Sequence, residues 1–135
     1  MYQPRGQFGF ARARYHTVDL SSRIEGATPH QLVAILFDEG MKALDAMAAA
    51  IGRGDYVQRG ERQSRALRII SGLEESLDFD RGGEVARGLA AIYAEARRLA
   101  LAAGRDNDAG KATQAREMLA EIAAAWTQIG RPAAA

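Results

Sequence analysis

The histidine and carboxylate side chains are the groups of this 135-residue chain that could do metal or acid–base chemistry. A carboxylate metal centre in a helical bundle needs Glu-x-x-His pairs on two helices. Neither of the two histidines, His16 and His30, follows a glutamate by three positions. Motifs for phosphate binding, serine hydrolysis and zinc proteolysis are also missing from the sequence. We therefore predict no catalytic residue, no metal site and no cofactor site.

Two pairs of neighbouring carboxylates could be considered for acid–base catalysis. Asp38 adjoins Glu39, and Asp78 stands two positions before Asp80. We interpret these residues as a solvated helix face and as helix caps, since a carboxylate accepts the free backbone N–H groups of a first helical turn. In this interpretation Asp80 caps the helix that follows Gly83.

His30 keeps one alternative function open, that of a histidine phosphotransfer protein. Such proteins are also four-helix bundles, and they carry a solvent-facing histidine in the middle of a helix. His30 directly follows Pro29, which places it in a first helical turn. That position is more typical of an ordinary exposed residue.

The composition limits the class of protein. Apolar residues make up 47% of the chain, which is enough for one core, and there is no cysteine, which fits a reducing compartment. The net charge of +1 argues against a nucleic-acid partner. No run of about 18 apolar residues exists, so we expect no membrane insertion.

Cap residues and glycines divide the chain into helices. Thr28 and Pro29 form a strong helix start, because threonine caps well and proline is tolerated at the first helical position. Gly52 and Gly54 end that helix, and Asp55 caps the second.

The third helix is predicted to follow Gly83 and to stop at Gly104, and the fourth to run from a polar turn at 106–110 to Gly130. Their inward faces follow steps of three and four residues. These faces are Val85, Leu89, Ile92, Ala96, Leu99 and Ala103 on the third helix, and Ala115, Leu119, Ile122, Trp126 and Ile129 on the fourth.

Four helices with short connections predict an all-α fold, an antiparallel up-down four-helix bundle over residues 28–130. We interpret residues 1–14 as a mobile tail and residues 15–27 as a short N-terminal segment or lid packed on the bundle. Residues 131–135 are expected to fray.

The stretch from Leu77 to Tyr93 is predicted to reverse the chain between the two helix pairs. Gly82 and Gly83 are poor helix residues, which indicates a loop. Phe79 is apolar within this polar turn, so we expect it to be buried and to anchor the reversal.

Several apolar residues lie away from the inward faces. They either widen the core, since core-facing helices use about three positions in seven, or line an outer groove for the amphipathic helix of a partner. Tyr15 could also contact a partner directly. The candidate partner-binding residues are therefore Tyr15, Val33, Phe37, Met41, Ile69, Tyr93, Leu101 and Met118.

The order and spacing of several motifs resemble those of FliS, the family of flagellar secretion chaperones. The similarity spans about residues 15–129. One departure is Glu39, since the family usually has a small residue after the aspartate of the first helix. The similar segments are Thr28-Pro29-His30-Gln31-Leu32-Val33, Leu36-Phe37-Asp38, Ala66 with Ile69-Ile70, Leu77-Asp78-Phe79, Gly82-Gly83-Glu84, Ile92-Tyr93, Arg97-Arg98-Leu99 and Trp126.

This resemblance implies a cytoplasmic protein that is not an enzyme. It implies that the chain binds the C-terminal helical region of flagellin, prevents its premature polymerisation and keeps it competent for type III export. The flagellar export apparatus is then a second partner, and the N-terminal segment covers part of the groove in the absence of a client. A generic helical adaptor and a phosphotransfer protein remain the alternatives.

Overall fold

The computed structural model describes residues 21–129, which are helical apart from short connections. No strand occurs within these residues, so the all-α prediction is confirmed. The predictions for residues 1–14 and 131–135, and for residues 15–20 of the N-terminal segment, which include Tyr15, lie outside the described part. The helices are α1 (Ser21–Ile24), α2 (Pro29–Gly52), α3 (Tyr56–Glu75), α4 (Phe79–Asp106) and α5 (Ala109–Ile129).

The four long helices form an up-down bundle. Helix α2 packs against α3 and α5, and α4 packs against the same two helices. His30, at the start of α2, pairs with Trp126 near the end of α5, whereas Asp45 further along α2 pairs with Arg116 nearer the start of α5. Neighbouring helices are therefore antiparallel, as predicted.

Gly40 lies where α2 meets two of its neighbours. A Cβ atom at this position would stand 3.1 Å from Ile69 Cγ2 of α3 and 3.4 Å from Leu119 Cδ1 of α5. Both side chains are fully buried. The glycine thus allows both partners to pack directly on the α2 backbone.

The predicted caps of α2 and α3 are confirmed. Thr28 Oγ1 accepts a hydrogen bond from the Gln31 N–H at 3.1 Å, and Gln31 Oε1 accepts one from the Thr28 N–H at 3.0 Å. Asp55 Oδ1 accepts from the Gln58 N–H at 3.0 Å. These bonds satisfy N–H groups that have no partner within the helix.

The prediction for the central reversal is wrong in two respects. Asp78, and not Asp80, caps α4, since its Oδ1 accepts from the backbone N–H groups of Asp80 and Arg81 at 3.1 Å. Phe79 is the first residue of the helix and its side chain is 49% exposed, whereas Leu77 is buried in its place. The helix thus begins at Phe79, before the glycine pair, and not after Gly83.

The glycine pair does mark a break inside α4. Gly83 has φ 48° and ψ −120°, a conformation that interrupts the helical backbone and that glycine adopts at little cost. The helix resumes after this break. The prediction that it stops at Gly104 is wrong, because it continues to Asp106, with Asn107 in the left-handed conformation at its end. A Cβ atom at residue 104 would meet the amide end of the flexible Gln63 side chain, which would have to shift.

Helix α1 is held to the bundle by one apolar and one charged residue. Ile24 belongs to the main core and is 1% exposed. Arg23 Nη1 lies 2.8 Å from Asp38 Oδ2 and 2.6 Å from Glu39 Oε2. The part of the N-terminal segment that the structure describes is therefore packed on the bundle, as expected.

Glu39 is buried, so the interpretation of this residue as part of a solvated face is wrong. Besides Arg23 it pairs with Lys42 of α2 at 3.3 Å and with Arg65 of α3 at 3.0 Å. Burial by itself raises the pKa of Glu39, but the hydrogen bonds from Arg65, Lys42 and Arg23 outweigh it and hold the pKa below its ordinary value of 4.5. The carboxylate thus joins α1, α2 and α3.

We expect Glu39→Gln to lower the free energy of unfolding at neutral pH by about 1–3 kcal/mol, because a charged hydrogen-bond acceptor is lost from a buried site. A carboxyl with a depressed folded-state pKa stabilises the fold above its unfolded pKa and loses that contribution as pH falls through the folded pKa. The free energy of unfolding should therefore fall less steeply with decreasing pH in Glu39→Gln than in the unmodified protein. Urea titrations at neutral and acidic pH measure both effects.

Asp38→Asn is the matched control, because Asp38 contacts two of the same cations from a half-exposed position. Asp38→Asn should lower the free energy of unfolding by no more than about 1 kcal/mol. Equal losses in the two variants, or no loss in Glu39→Gln, would contradict the central role of Glu39.

Candidate partner-binding groove

An apolar groove of about 310 Å³ opens at the end of the bundle where α2 begins and α5 ends. It is bounded by the turn before α4 and by the first turns of α4 itself. The break at Gly83 lies beside it, so the glycine pair shapes this end of the bundle. The lining residues are Val33, Ser76, Leu77, Asp78, Arg81, Gly82, Val85, Ala86, Leu89, Tyr93 and Trp126.

Aromatic rings form the inner part of the groove. Tyr93 is 2% exposed, and its ring centroid lies 6.3 Å from that of Phe37. Phe37 in turn meets the Trp126 ring edge-on at 6.4 Å. Burial raises the pKa of Tyr93 to about 12, so this surface carries no phenolate charge at neutral pH.

His30 fixes the tryptophan that lines the groove. The two rings are stacked, with centroids 4.6 Å apart and planes 6° from parallel. The Trp126 Nε1–H donates to the His30 backbone oxygen at 3.0 Å, and the His30 Nε2 lies 2.9 Å from the Trp126 backbone oxygen. Because a carbonyl can only accept, Nε2 must carry the hydrogen.

The outer edge of the groove combines an exposed apolar residue with charges. Val85 is 71% exposed, and Leu89 beside it in the lining is half-buried. Asp78 and Arg81 also line the groove, with Arg81 Nε 3.8 Å from Asp78 Oδ2. An apolar floor with a charged rim suits an amphipathic ligand that covers the floor and leaves its polar side in water.

The described residues hold no group of three or more histidine, aspartate or glutamate side chains that could bind a metal. None of their helices is long and apolar enough to cross a membrane.

The structure brings together only some of the residues named from sequence. Val33 and Tyr93 line the groove, and Phe37 lies beneath it. The other described candidates lie outside the groove lining: Ile69 is fully buried, Met41 and Met118 are partly buried against the core, and Leu101 is half-exposed on α4. A partner-binding role for all of these residues stays a prediction.

Sequence reasoning missed Val85, Leu89 and Trp126 as groove residues because it assigned all three to inward faces. The buried face of α4 consists mostly of alanines, so the predicted face is wrong at Val85, and its residues Leu89 and Ile92 are only partly buried. Alanine periodicity is the signal that could have revealed it. The buried residues of α4 are Ala86, Tyr93, Ala96, Leu99, Ala100, Ala102 and Ala103.

His30 is also not the ordinary exposed residue predicted. It is half-buried against Trp126, and its Nε2 is engaged with a backbone carbonyl. A phosphoryl acceptor needs a free ring nitrogen directed at its partner. This geometry disfavours transfer through Nε2.

Comparisons with known proteins agree on one family. Residues 11–133 match the family model described as flagellar protein FliS. The chain is 39% identical over 116 residues to the flagellar secretion chaperone FliS of Salmonella typhimurium, covering 85% of this chain and 86% of that protein. It is 31% identical over 115 residues to the FliS of Vibrio cholerae, covering 85% of each. It is 29% identical over 119 residues to the chaperone FliSB of Pseudomonas aeruginosa, covering 88% of this chain and 94% of that protein.

We expect His30→Ala to release the Trp126 ring. The variant loses the stacked imidazole and one hydrogen bond, and this loss should lower the free energy of unfolding by about 1 kcal/mol. Trp126 is the sole tryptophan of the chain, so its fluorescence reports this site alone. The emission maximum should move to longer wavelength as the ring becomes more exposed to water.

His30→Phe is the control, since it keeps an aromatic ring to stack on Trp126 and removes only the ring nitrogens. Its emission should stay close to that of the unmodified protein. Unchanged emission in His30→Ala would show that the histidine does not hold the tryptophan in place.

Proposed function

The chain belongs to the FliS family of flagellar proteins, and from this premise we propose that it is a flagellar export chaperone for flagellin. In the proposed function it binds the C-terminal helical region of flagellin in the cytoplasm. It thereby prevents premature polymerisation and keeps the subunit competent for type III export. The flagellar export apparatus is its proposed second partner.

The apolar groove is the observation that carries this proposal. Its lining is mostly aliphatic and aromatic, and Val85 at its edge exposes 71% of its surface to water. An amphipathic helix buries apolar residues at spacings of three and four in such grooves. The groove therefore supports a helical client whose apolar side would otherwise be exposed.

The energetics of such a complex favour a client that is disordered before binding. A disordered segment loses conformational entropy when it becomes helical, and burial of a large apolar surface offsets that loss. The groove alone is small, so a client must also contact the bundle outside it. Leu101, half-exposed on α4, and the partly buried Met41 and Met118 remain proposed contacts for the rest of the client.

The described rings of the groove support a preformed site. Phe37 contacts both Tyr93 and Trp126, and His30 stacks on the Trp126 ring. A site that is already ordered loses little entropy of its own on binding. Ordering is thus confined to the client, which is consistent with a chaperone that receives unfolded subunits.

We expect Val85→Asp to weaken binding of a flagellin C-terminal peptide by about tenfold or more, because a charge would be placed against an apolar ligand; tenfold corresponds to about 1.4 kcal/mol. The fold should be retained, since substitutions at exposed positions usually change stability by no more than about 0.5 kcal/mol. Calorimetry with the full-length protein measures the affinity, and circular dichroism checks the helix content.

Val57→Asp is the matched control, because Val57 is also 71% exposed but lies at the start of α3, away from the groove. It should leave the affinity for the flagellin peptide unchanged. Equal affinities of Val85→Asp and the unmodified protein would rule out this groove as the flagellin site. A failure of the unmodified protein to bind flagellin would overturn the proposed function.

A further inference from the structure

The tyrosine in the inner part of the groove carries a hydroxyl group that the described fold does not use. Tyr93 is 2% exposed and lines the groove together with Leu89 and Ala86, which lie one and two turns before it on α4. Its hydroxyl makes no hydrogen bond within residues 21–129, and its oxygen is not one of the fully buried side-chain atoms that lack a partner. The small exposed part of Tyr93 therefore includes the hydroxyl oxygen, and the groove gives access to it.

The protonation state of this hydroxyl makes it a hydrogen-bond donor. Burial alone raises the pKa of Tyr93 to about 12, and no hydrogen bond adds to the shift. The hydroxyl is therefore neutral and keeps its hydrogen at neutral pH. Buried tyrosine hydroxyls usually have a hydrogen-bond partner, and phenylalanine would make the same ring contact with Phe37 without needing one. The donor is thus available to a molecule that enters the groove.

The other side chains of the lining that carry hydrogen-bond donors are engaged or fully hydrated. Ser76 Oγ donates to a backbone oxygen three residues earlier at 2.6 Å, and the Trp126 Nε1–H donates to that of His30 at 3.0 Å. The Arg81 side chain is 92% exposed, so water surrounds it. Among the described residues of the lining, Tyr93 is therefore the neutral donor that remains for a ligand.

A client that covers the groove changes the surroundings of this hydroxyl. In the uncovered groove the oxygen is accessible, so a water molecule can contact it. A wholly apolar client would exclude that water and leave the Tyr93 hydroxyl buried without a partner, which is unfavourable. A site with a buried polar group therefore discriminates against ligands that lack the matching group.

We propose that Tyr93 determines the specificity of the groove, because its hydroxyl donates a hydrogen bond to the side-chain amide of an asparagine or glutamine on the apolar side of the client helix. The inference rests on the proposed function for the presence of a helical client. A neutral amide suits this position, since a carboxylate would lose its hydration against an apolar lining. The backbone carbonyl groups of a helix are bonded within it, so a side chain must supply the acceptor.

The spacing of residues on α4 indicates where the amide belongs on the client. Val85 lies eight residues and Leu89 four residues before Tyr93, and all three follow the break at Gly83. A helix rises about 1.5 Å per residue, so these separations are roughly 12 Å and 6 Å along α4. On a client helix that lies along α4, we expect the amide about two turns from the apolar residue that covers Val85.

Designed amphipathic helical peptides are the probe for this hydrogen bond. One peptide carries leucines at spacings of three and four and a glutamine two turns from the first leucine, on the same side. Its partner has methionine, which is similar in size and shape, in place of the glutamine. Fluorescence anisotropy measures the affinity of the full-length protein for both peptides. Tyr93→Phe should shift the ratio of the two affinities by about tenfold in favour of the methionine peptide.

Tyr56→Phe is the matched control, because it removes a hydroxyl from a tyrosine that is 62% exposed at the start of α3, away from the groove. It should leave the ratio of the two affinities unchanged. A peptide with its glutamine moved to the water-facing side should bind the unmodified protein and Tyr93→Phe equally. Tyr93→Phe should not lower the melting temperature, since it removes no hydrogen bond of the described fold.

The flagellin C-terminal peptide separates this inference from the proposed function. We expect Tyr93→Phe to bind it severalfold more weakly than the unmodified protein does. Equal binding by the two proteins would leave the flagellin function in place and overturn the role of the hydroxyl. If the flagellin peptide did not bind the unmodified protein, the proposed function would fail, and the designed peptides would still test the hydroxyl.

Three results with the designed peptides would overturn the proposal. The first is an affinity ratio that Tyr93→Phe leaves unchanged or shifts no more than Tyr56→Phe does. The second is a lower melting temperature of Tyr93→Phe, which would show that the hydroxyl is bonded within the fold. The third is tighter binding of a peptide with glutamate in place of the glutamine, which would show that the groove selects a carboxylate.

Discussion

The direct packing of α3 and α5 on the backbone of α2 is the constraint on which the rest of the structure depends. Gly40 permits it, since a Cβ atom there would press on Ile69 from one side and Leu119 from the other. Both contacts lie in the fully buried core, where added volume forces neighbouring side chains or helices to shift. Because α5 is fixed along α2 in this way, its Trp126 comes to lie over His30 at the start of α2. The inner wall of the groove is therefore set by a glycine about ten residues away.

The groove exists because α4 packs through small residues. Ala86, Ala96 and Ala100 are its buried contacts, and alanines let a helix approach its neighbours closely. Larger apolar residues on the flank then cannot be covered by the bundle, which leaves Val85 exposed and Leu89 half-buried. The break at Gly83 turns the backbone just before these residues. A face of the helix that looks like core in the sequence thus becomes an exposed apolar surface in the fold.

The sequence predicted the parts of the fold that local chemistry determines. Thr28 and Asp55 cap their helices by hydrogen bonds within three residues, so their roles can be read from neighbours alone. Asp78 and Phe79 could not be assigned in this way, because two aspartates were equally able to cap and tertiary packing selected Leu77 as the buried residue. Of the residues that line the groove, the sequence named only Val33 and Tyr93, which lie outside the predicted inward faces. Trp126 and Val85 were missed because the burial of a side chain depends on the distance between helices. The spacing of apolar residues at three and four positions does not specify that distance.

Glu39 shows how a buried carboxylate is accommodated in this bundle. A buried carboxylate loses its hydration, and pairing often only balances that loss. Three cations from three helices meet this one group, so its lost hydration is replaced by three charged contacts. The cluster therefore contributes more to the position of α1 than to net stability.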